Sequence, residues 1–87
     1  MNAQQPQITV YGADWCPDCR RAKRILDENR AVYRWVDVDR DRTGEKFVIQ
    51  TNRGNRSIPT IVFADGSILV EPSNADLSAK LYKTRLE

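Results

Sequence analysis

Histidine is absent from this 87-residue chain, and cysteine occurs only at Cys16 and Cys19. A structural zinc site takes four Cys or His ligands, so one copy of the chain cannot build one, and no metal is expected. No apolar run is long enough to cross a bilayer. The segment Met1–Gln7 lacks the basic and apolar regions of a secretory leader, which points to the cytoplasm. Charge of one sign is also scarce: 14 basic and 12 acidic side chains leave a net +2, weak support for a nucleic-acid partner. With only four Gly and four Pro, 40% hydrophobic and 30% charged residues, the composition is that of a globular protein rather than a linker. The length fits one domain over residues 1–87 with a modest core, and there is no repeat or low-complexity tract.

What the chain does have is Cys16-Pro17-Asp18-Cys19, immediately after the β-rich run Ile8-Thr9-Val10-Tyr11 and at the start of a basic, helix-like stretch. Residues 7–12 alternate, which predicts a strand closed by Gly12. From Pro17 to about Arg30 the period becomes helical: Cys19, Ala22, Ile25, Leu26 and Asn29 share one side, with Arg20, Arg21, Lys23, Arg24, Asp27 and Glu28 on the other. Tyr33–Val38 reads as a second strand. About Arg42 to Asn52 reads as a helix, against the low propensity of Gly44 and the β-branched Val48-Ile49. The apolar run Thr60–Ala64 suits a strand covered on both faces, and Asp65-Gly66 turns it back into Ser67–Glu71. Ser73 or Asn74 can cap a last helix that turns Leu77, Leu81 and Leu86 inward and carries Lys80, Lys83 and Arg85 late, where its dipole favours cations. The order is βαβαββα, an α/β arrangement.

Three features in order carry a resemblance over nearly the whole length: Trp15-Cys16-Pro17-Asp18-Cys19 after the first strand, Ser57-Ile58-Pro59-Thr60 before the third, and Asp65-Gly66 leading into Pro72-Ser73-Asn74-Ala75-Asp76-Leu77. The chain resembles a glutaredoxin-type member of the thioredoxin-fold family, and within it most resembles the mycoredoxins, actinobacterial relatives that resolve disulfides with mycothiol. The resemblance implies a four-stranded mixed sheet flanked by helices. It also implies a monomeric thiol–disulfide oxidoreductase with no bound cofactor, a small thiol as co-substrate and disulfide-containing proteins as clients.

The chemistry follows from position. With Pro17 in the first helical turn, where its missing N–H costs nothing, Cys16 lies at the helix N-terminus and its sulfur faces unpaired backbone N–H groups. Cysteines so placed ionise more readily than free ones, and a stable thiolate is above all a good leaving group. Cys19, three residues on, is within disulfide reach and is the expected buried resolving thiol; the bland alternative is a packed or metal-bound pair. Asp18 departs from the aromatic residue common there in glutaredoxins. Its charge disfavours a thiolate, Arg20 and Arg21 oppose it, and the net sign does not follow from the sequence.

By resemblance, Ile58-Pro59 is a cis bond beside Cys16 that leaves the Ile58 backbone free to pair with an extended substrate. Without the resemblance, Pro59 reads as a trans proline opening a strand. Trp15 is a candidate aromatic contact for a bound thiol or else a core aromatic, and Tyr11 reads as core. Arg56 is a candidate anion contact or an exposed arginine with no specific role. Ser73, Asn74 and Asp76 are candidates to touch the polar groups of a small thiol, though capping explains the first two.

Glutathione-binding glutaredoxins tend to carry Lys or Arg three residues before the first cysteine and a Gly-Gly step before the last helix. Here those places hold Ala13 and Pro72-Ser73. A sugar-linked thiol such as mycothiol brings no carboxylate to neutralise, so mycothiol is expected ahead of glutathione. Three other functions fit the same residues: a dithiol electron donor recycled by a flavin-dependent thioredoxin-type reductase, an iron–sulfur carrier formed by two copies through Cys16 and external thiols, and a protein–protein adaptor.

Overall fold

Alternation in the first strand decides the layering. In β1 (Ile8–Gly12), Ile8, Val10 and Gly12 are buried while Thr9 and Tyr11 are half-buried, and successive side chains in a strand point to opposite faces. One face packs Ile8 and Val10 with Ala22 and Leu26 of α1 (Pro17–Glu28), Leu77 and Leu81 of α3 (Asn74–Leu86), Ile61 and Phe63. On the other, Tyr11 stacks on Phe47 of α2 (Arg42–Thr51) with ring centroids 4.7 Å apart. In this computed structural model residues 8–86 are described, with side chains as far as Thr84. The expectations for Met1–Gln7 and for the side chains of Arg85 and Leu86 fall outside the described residues.

The sheet is mixed, in the order β2-β1-β3-β4. β1 runs parallel to β2 (Tyr33–Asp37), the pair that the α1 crossover joins. It runs antiparallel to β3 (Thr60–Val62), which forms a hairpin with β4 (Ile68–Val70). The two central strands are therefore β1 and β3. In β3, Thr60 and Ile61 have no exposed surface. The register sets Val10 opposite Trp35 and Ile61, so Trp35 lies on the face beneath α1.

Both hairpin strands are shorter than the apolar runs predict, because the turn takes more residues. The Phe63 N–H donates to the Ser67 carbonyl, and Gly66 adopts φ 87. Asp65 Oδ1 accepts from the Ser67 backbone N–H and hydroxyl at 2.9 and 2.6 Å, while Lys80 Nζ reaches Asp65 Oδ2 at 3.3 Å. The Ser67 hydroxyl bond, with help from its N–H and Lys80, lowers the Asp65 carboxyl to about 2.

α1 stops two residues before the predicted end. Arg30 turns left-handed at φ 55, and the Asn29 amide, expected inward, donates instead to the Ile25 carbonyl. α2 forms despite its glycine because the glycine serves packing: a Cβ on Gly44 would lie 2.6 Å from Val36 Cγ1. Asp41 caps the helix by accepting from the Gly44 N–H at 2.8 Å.

Candidate active site

Cys16 occupies the N-cap position of α1, with extended dihedrals of φ −80 and ψ 115 and Pro17 in the first turn. An N-cap side chain accepts from the backbone of the third helical residue. Here that acceptor is sulfur: the Cys19 N–H donates to Cys16 Sγ at 3.1 Å. Nothing else about the helix start is unusual, and Asp18 sits in the first turn where a carboxylate suits the helix dipole. The fold therefore aims a backbone donor at a sulfur atom.

The second sulfur lies in a different environment. Cys16 is 6% exposed and Cys19 wholly buried, and both are free thiols. Burial pushes the Cys19 thiol from 9.0 up to about 12, the Cys16 sulfur beside it and the charges of Cys16 and Asp18 add to the rise, and a backbone bond with Ala13 opposes it. Cys19 is thus held protonated at neutral pH. Ala13, Cys16 and Cys19 form a small buried cluster, with Trp35 and Ile58 packed against it.

Ile58-Pro59 is a cis bond, and Pro59 is fully buried. The contact of Ile58 with the cysteine cluster sets this turn beside Cys16. The chain leaves the turn as β3, anchored by the Thr60 hydroxyl, which donates to the Ser57 carbonyl at 2.8 Å.

Two arginine-centred arrays reach the residues of the motif. Trp15 is 61% exposed, and its indole Nε1–H donates to Asp39 Oδ2 at 2.8 Å. Arg56 clasps the same carboxylate at 2.7 Å and Glu45 at 2.6 Å. The Arg56 bond, helped by Trp15, lowers the Asp39 carboxyl, and the two carboxylates raise the Arg56 guanidinium in return. Arg56 is therefore neither a free anion contact nor idle, as the sequence alternatives had it; it braces Trp15 through Asp39. In the second array, Arg21 joins α1 to the start of α3. It pairs with Asp18 at 3.0 Å, donates to Asn74 Oδ1 at 2.8 Å and reaches the Pro72 carbonyl at 3.5 Å. Arg20 points elsewhere, to the Asp14 carbonyl. Ser73 is the cap of α3, its Oγ accepting from the Asp76 N–H at 3.0 Å, and Asn74 is not. Pro17, Ser73, Asn74 and Asp76 are all exposed.

The glutaredoxin family pattern matches residues 8–68, which take in the cysteine pair and the cis proline. The chain belongs to the glutaredoxin family. A provisionally named glutaredoxin of Mycobacterium tuberculosis is 45% identical over 76 residues, 87% of this chain and 90% of its own. Mycoredoxin 1 of Corynebacterium glutamicum is 38% identical over 74 residues, 85% of this chain and 91% of its own. Among solved structures, a variant of a thioredoxin-like protein superposes with a TM-score of 0.77 at 26% identity, covering 90% of this chain and 97% of that one. As a glutaredoxin, similar to the mycoredoxins, this chain is a thiol–disulfide oxidoreductase. Its co-substrate is a small thiol, and it acts on disulfide-containing substrates.

In this glutaredoxin, Trp15, Pro17 and Asp18 flank Cys16 in the chain, Ile58 packs against the cysteine cluster with Pro59 next to it in sequence, and Asn74 is joined to α1 through Arg21, with Ser73 and Asp76 beside it at the start of α3. Sequence patterns left Gly12, Trp35, Asp39 and the bridging part of Arg21 unnoticed. Gly12 was read only as the end of a strand. The one signal for the others is charge: Asp37-Val38-Asp39 sets acidic side chains on alternate positions at the end of a strand beside the motif.

Proposed function

We propose that this glutaredoxin reduces mixed disulfides between proteins and mycothiol, with Cys16 as nucleophile and Cys19 as resolving thiol, and that glutathione is a poorer partner. The observation that carries the roles is the Cys19 N–H aimed at Cys16 Sγ while the Cys19 thiol is buried and raised to about 12. One sulfur has a donor for its charge; the other keeps its proton.

In the first step the Cys16 thiolate attacks the small-thiol sulfur of the mixed disulfide. A new S–S bond joins Cys16 to the small thiol, and the client leaves as thiolate. A second small thiol then attacks, forming its own disulfide and releasing Cys16. Alternatively Cys19 attacks Cys16, closes the internal disulfide and frees the small thiol, whose sulfur takes the proton. The second route also suits an electron donor recycled by a flavin-dependent reductase.

Trp15, Pro17, Asp18, Ile58, Pro59, Ser73, Asn74 and Asp76 are the proposed contacts for the bound thiol and client chain. The preference for mycothiol is supported by charges near the cysteine pair. Ala13 supplies no cation, Arg21 is matched by Asp18, and Arg56 is matched by Asp39 and Glu45. An incoming carboxylate would have to displace one of these partners, whereas a sugar-linked thiol has no such need. The reading includes one domain acting as a monomer in the cytoplasm, where thiols stay reduced. Turnover of mycothiol and glutathione mixed disulfides under matched conditions tests it: mycothiol is expected to be faster, and the reverse order overturns the preference.

A further inference from the structure

Gly12 is a glycine for reasons of space. It is buried in an ordinary strand, and its backbone is not among those with positive φ. A Cβ built on it would lie 2.8 Å from Cys19 Sγ and 2.7 Å from Trp35 Cη2. Both distances fall well inside the roughly 3.5 Å at which heavy atoms normally rest. Neither neighbour is a flexible chain end that can swing away. The Cys19 side chain is on the first turn of α1, and the Trp35 indole is pinned by β2 below and by Lys23 Nζ, 4.0 Å from its ring centroid.

We propose that Gly12 and Trp35 are positioning residues for the resolving step, fixing Cys19 Sγ where it meets the Cys16 sulfur. The inference rests on the assignment of Cys16 as nucleophile and goes on to say what makes its partner competent. In that step Cys19 Sγ bonds to Cys16 Sγ, the bond from Cys16 to the small thiol breaks, and the Cys19 proton ends on the released thiol. No outside oxidant or reductant enters. Nucleophile and disulfide must meet in line, and misplacement by about 1 Å costs on the order of 100-fold in rate. Forming the Cys16 adduct draws on the Cys19 backbone N–H but not on its thiol, so the two steps are expected to respond differently.

The test is a single turnover with bis(2-hydroxyethyl) disulfide, a small uncharged probe, quenched by acid and alkylation and read by mass. Wild-type protein is expected to form the Cys16 adduct and then close the internal disulfide. Gly12→Ala is expected to form the adduct at the wild-type rate but close it on the order of 100-fold more slowly, so that the adduct accumulates. Closure at the wild-type rate, or equal slowing of both steps, overturns the inference. If Gly12→Ala does not fold by circular dichroism, Trp35→Leu decides the matter by the same split, with unchanged closure overturning it. Failure of the wild-type protein to form any adduct at Cys16 is a separate result, and it removes the nucleophile assignment itself.

Discussion

Arg21 links two helix N-termini, those of α1 and α3, and their fates differ because of one atom. α1 and α3 each begin with a side chain that accepts from the third residue's backbone N–H: Cys16 Sγ from Cys19 at 3.1 Å, Ser73 Oγ from Asp76 at 3.0 Å. The geometry is the same and the distances nearly so. At α3 the acceptor is a hydroxyl that does not ionise, and the next residue, Asn74, is held by Arg21, so the cap hydrogen bond itself only holds the helix start. At α1 the acceptor is a sulfur, in general a better nucleophile than a hydroxyl, and the same hydrogen bond falls on the atom proposed to react. Capping, ordinarily a matter of about 1 kcal/mol of stability, is turned to chemistry by a change of element.

The largest effect on this contrast comes from making the two ends alike. Cys16→Ser keeps a capping oxygen and removes the nucleophile, so turnover of mixed disulfides is expected to fall on the order of 1,000-fold or more while the melting temperature holds. Any sizeable residual turnover would mean that the sulfur is not the reacting atom. Next comes pH. The Cys19 thiol at about 12 lies above its ordinary 9.0, so its contribution to the stability of the reduced protein is fully present below pH 9 and lost as pH rises toward 12. Thermal melts of the reduced protein from pH 8 to 11 should show that decline, and Cys19→Ser, which has no proton to lose there, should flatten it. At α3, Ser73→Ala is expected to cost about 1 kcal/mol in denaturant unfolding and, Ser73 being one of the proposed contacts, to slow adduct formation at Cys16 far less than Cys16→Ser does. The smallest effect concerns the anchor of α3. Asp65, lowered to about 2 from 3.8, stabilises above pH 3.8 and loses that contribution as pH falls through 2, so Asp65→Asn should weaken the acid dependence of unfolding.

Sequence and structure agree where the cause is local. Alternation reveals β1, Pro17 after Cys16 marks a helix start, and Asp65-Gly66 marks a hairpin, because each is settled within a few residues of chain. The misjudged features are those settled at a distance. Trp15 meets Asp39 across 24 positions and Arg21 meets Asn74 across 53; no pattern in one sequence fixes such pairings. Gly44 counts against a helix on propensity alone, yet its missing side chain is what lets α2 lie on Val36. Gly12 is the same lesson at the cysteines: its purpose is visible only once Trp35 and Cys19 are seen to converge on it.

The matched arginines have one more consequence. Arg21 and Arg56 are guanidiniums bonded to residues of the motif or to their partners, and each is already paired with carboxylate. Long-range attraction between a cleft and an oppositely charged ligand raises encounter rates and fades with ionic strength. With those two charges matched, neither should steer a charged disulfide strongly, and their share of the salt dependence of the second-order rate should be small.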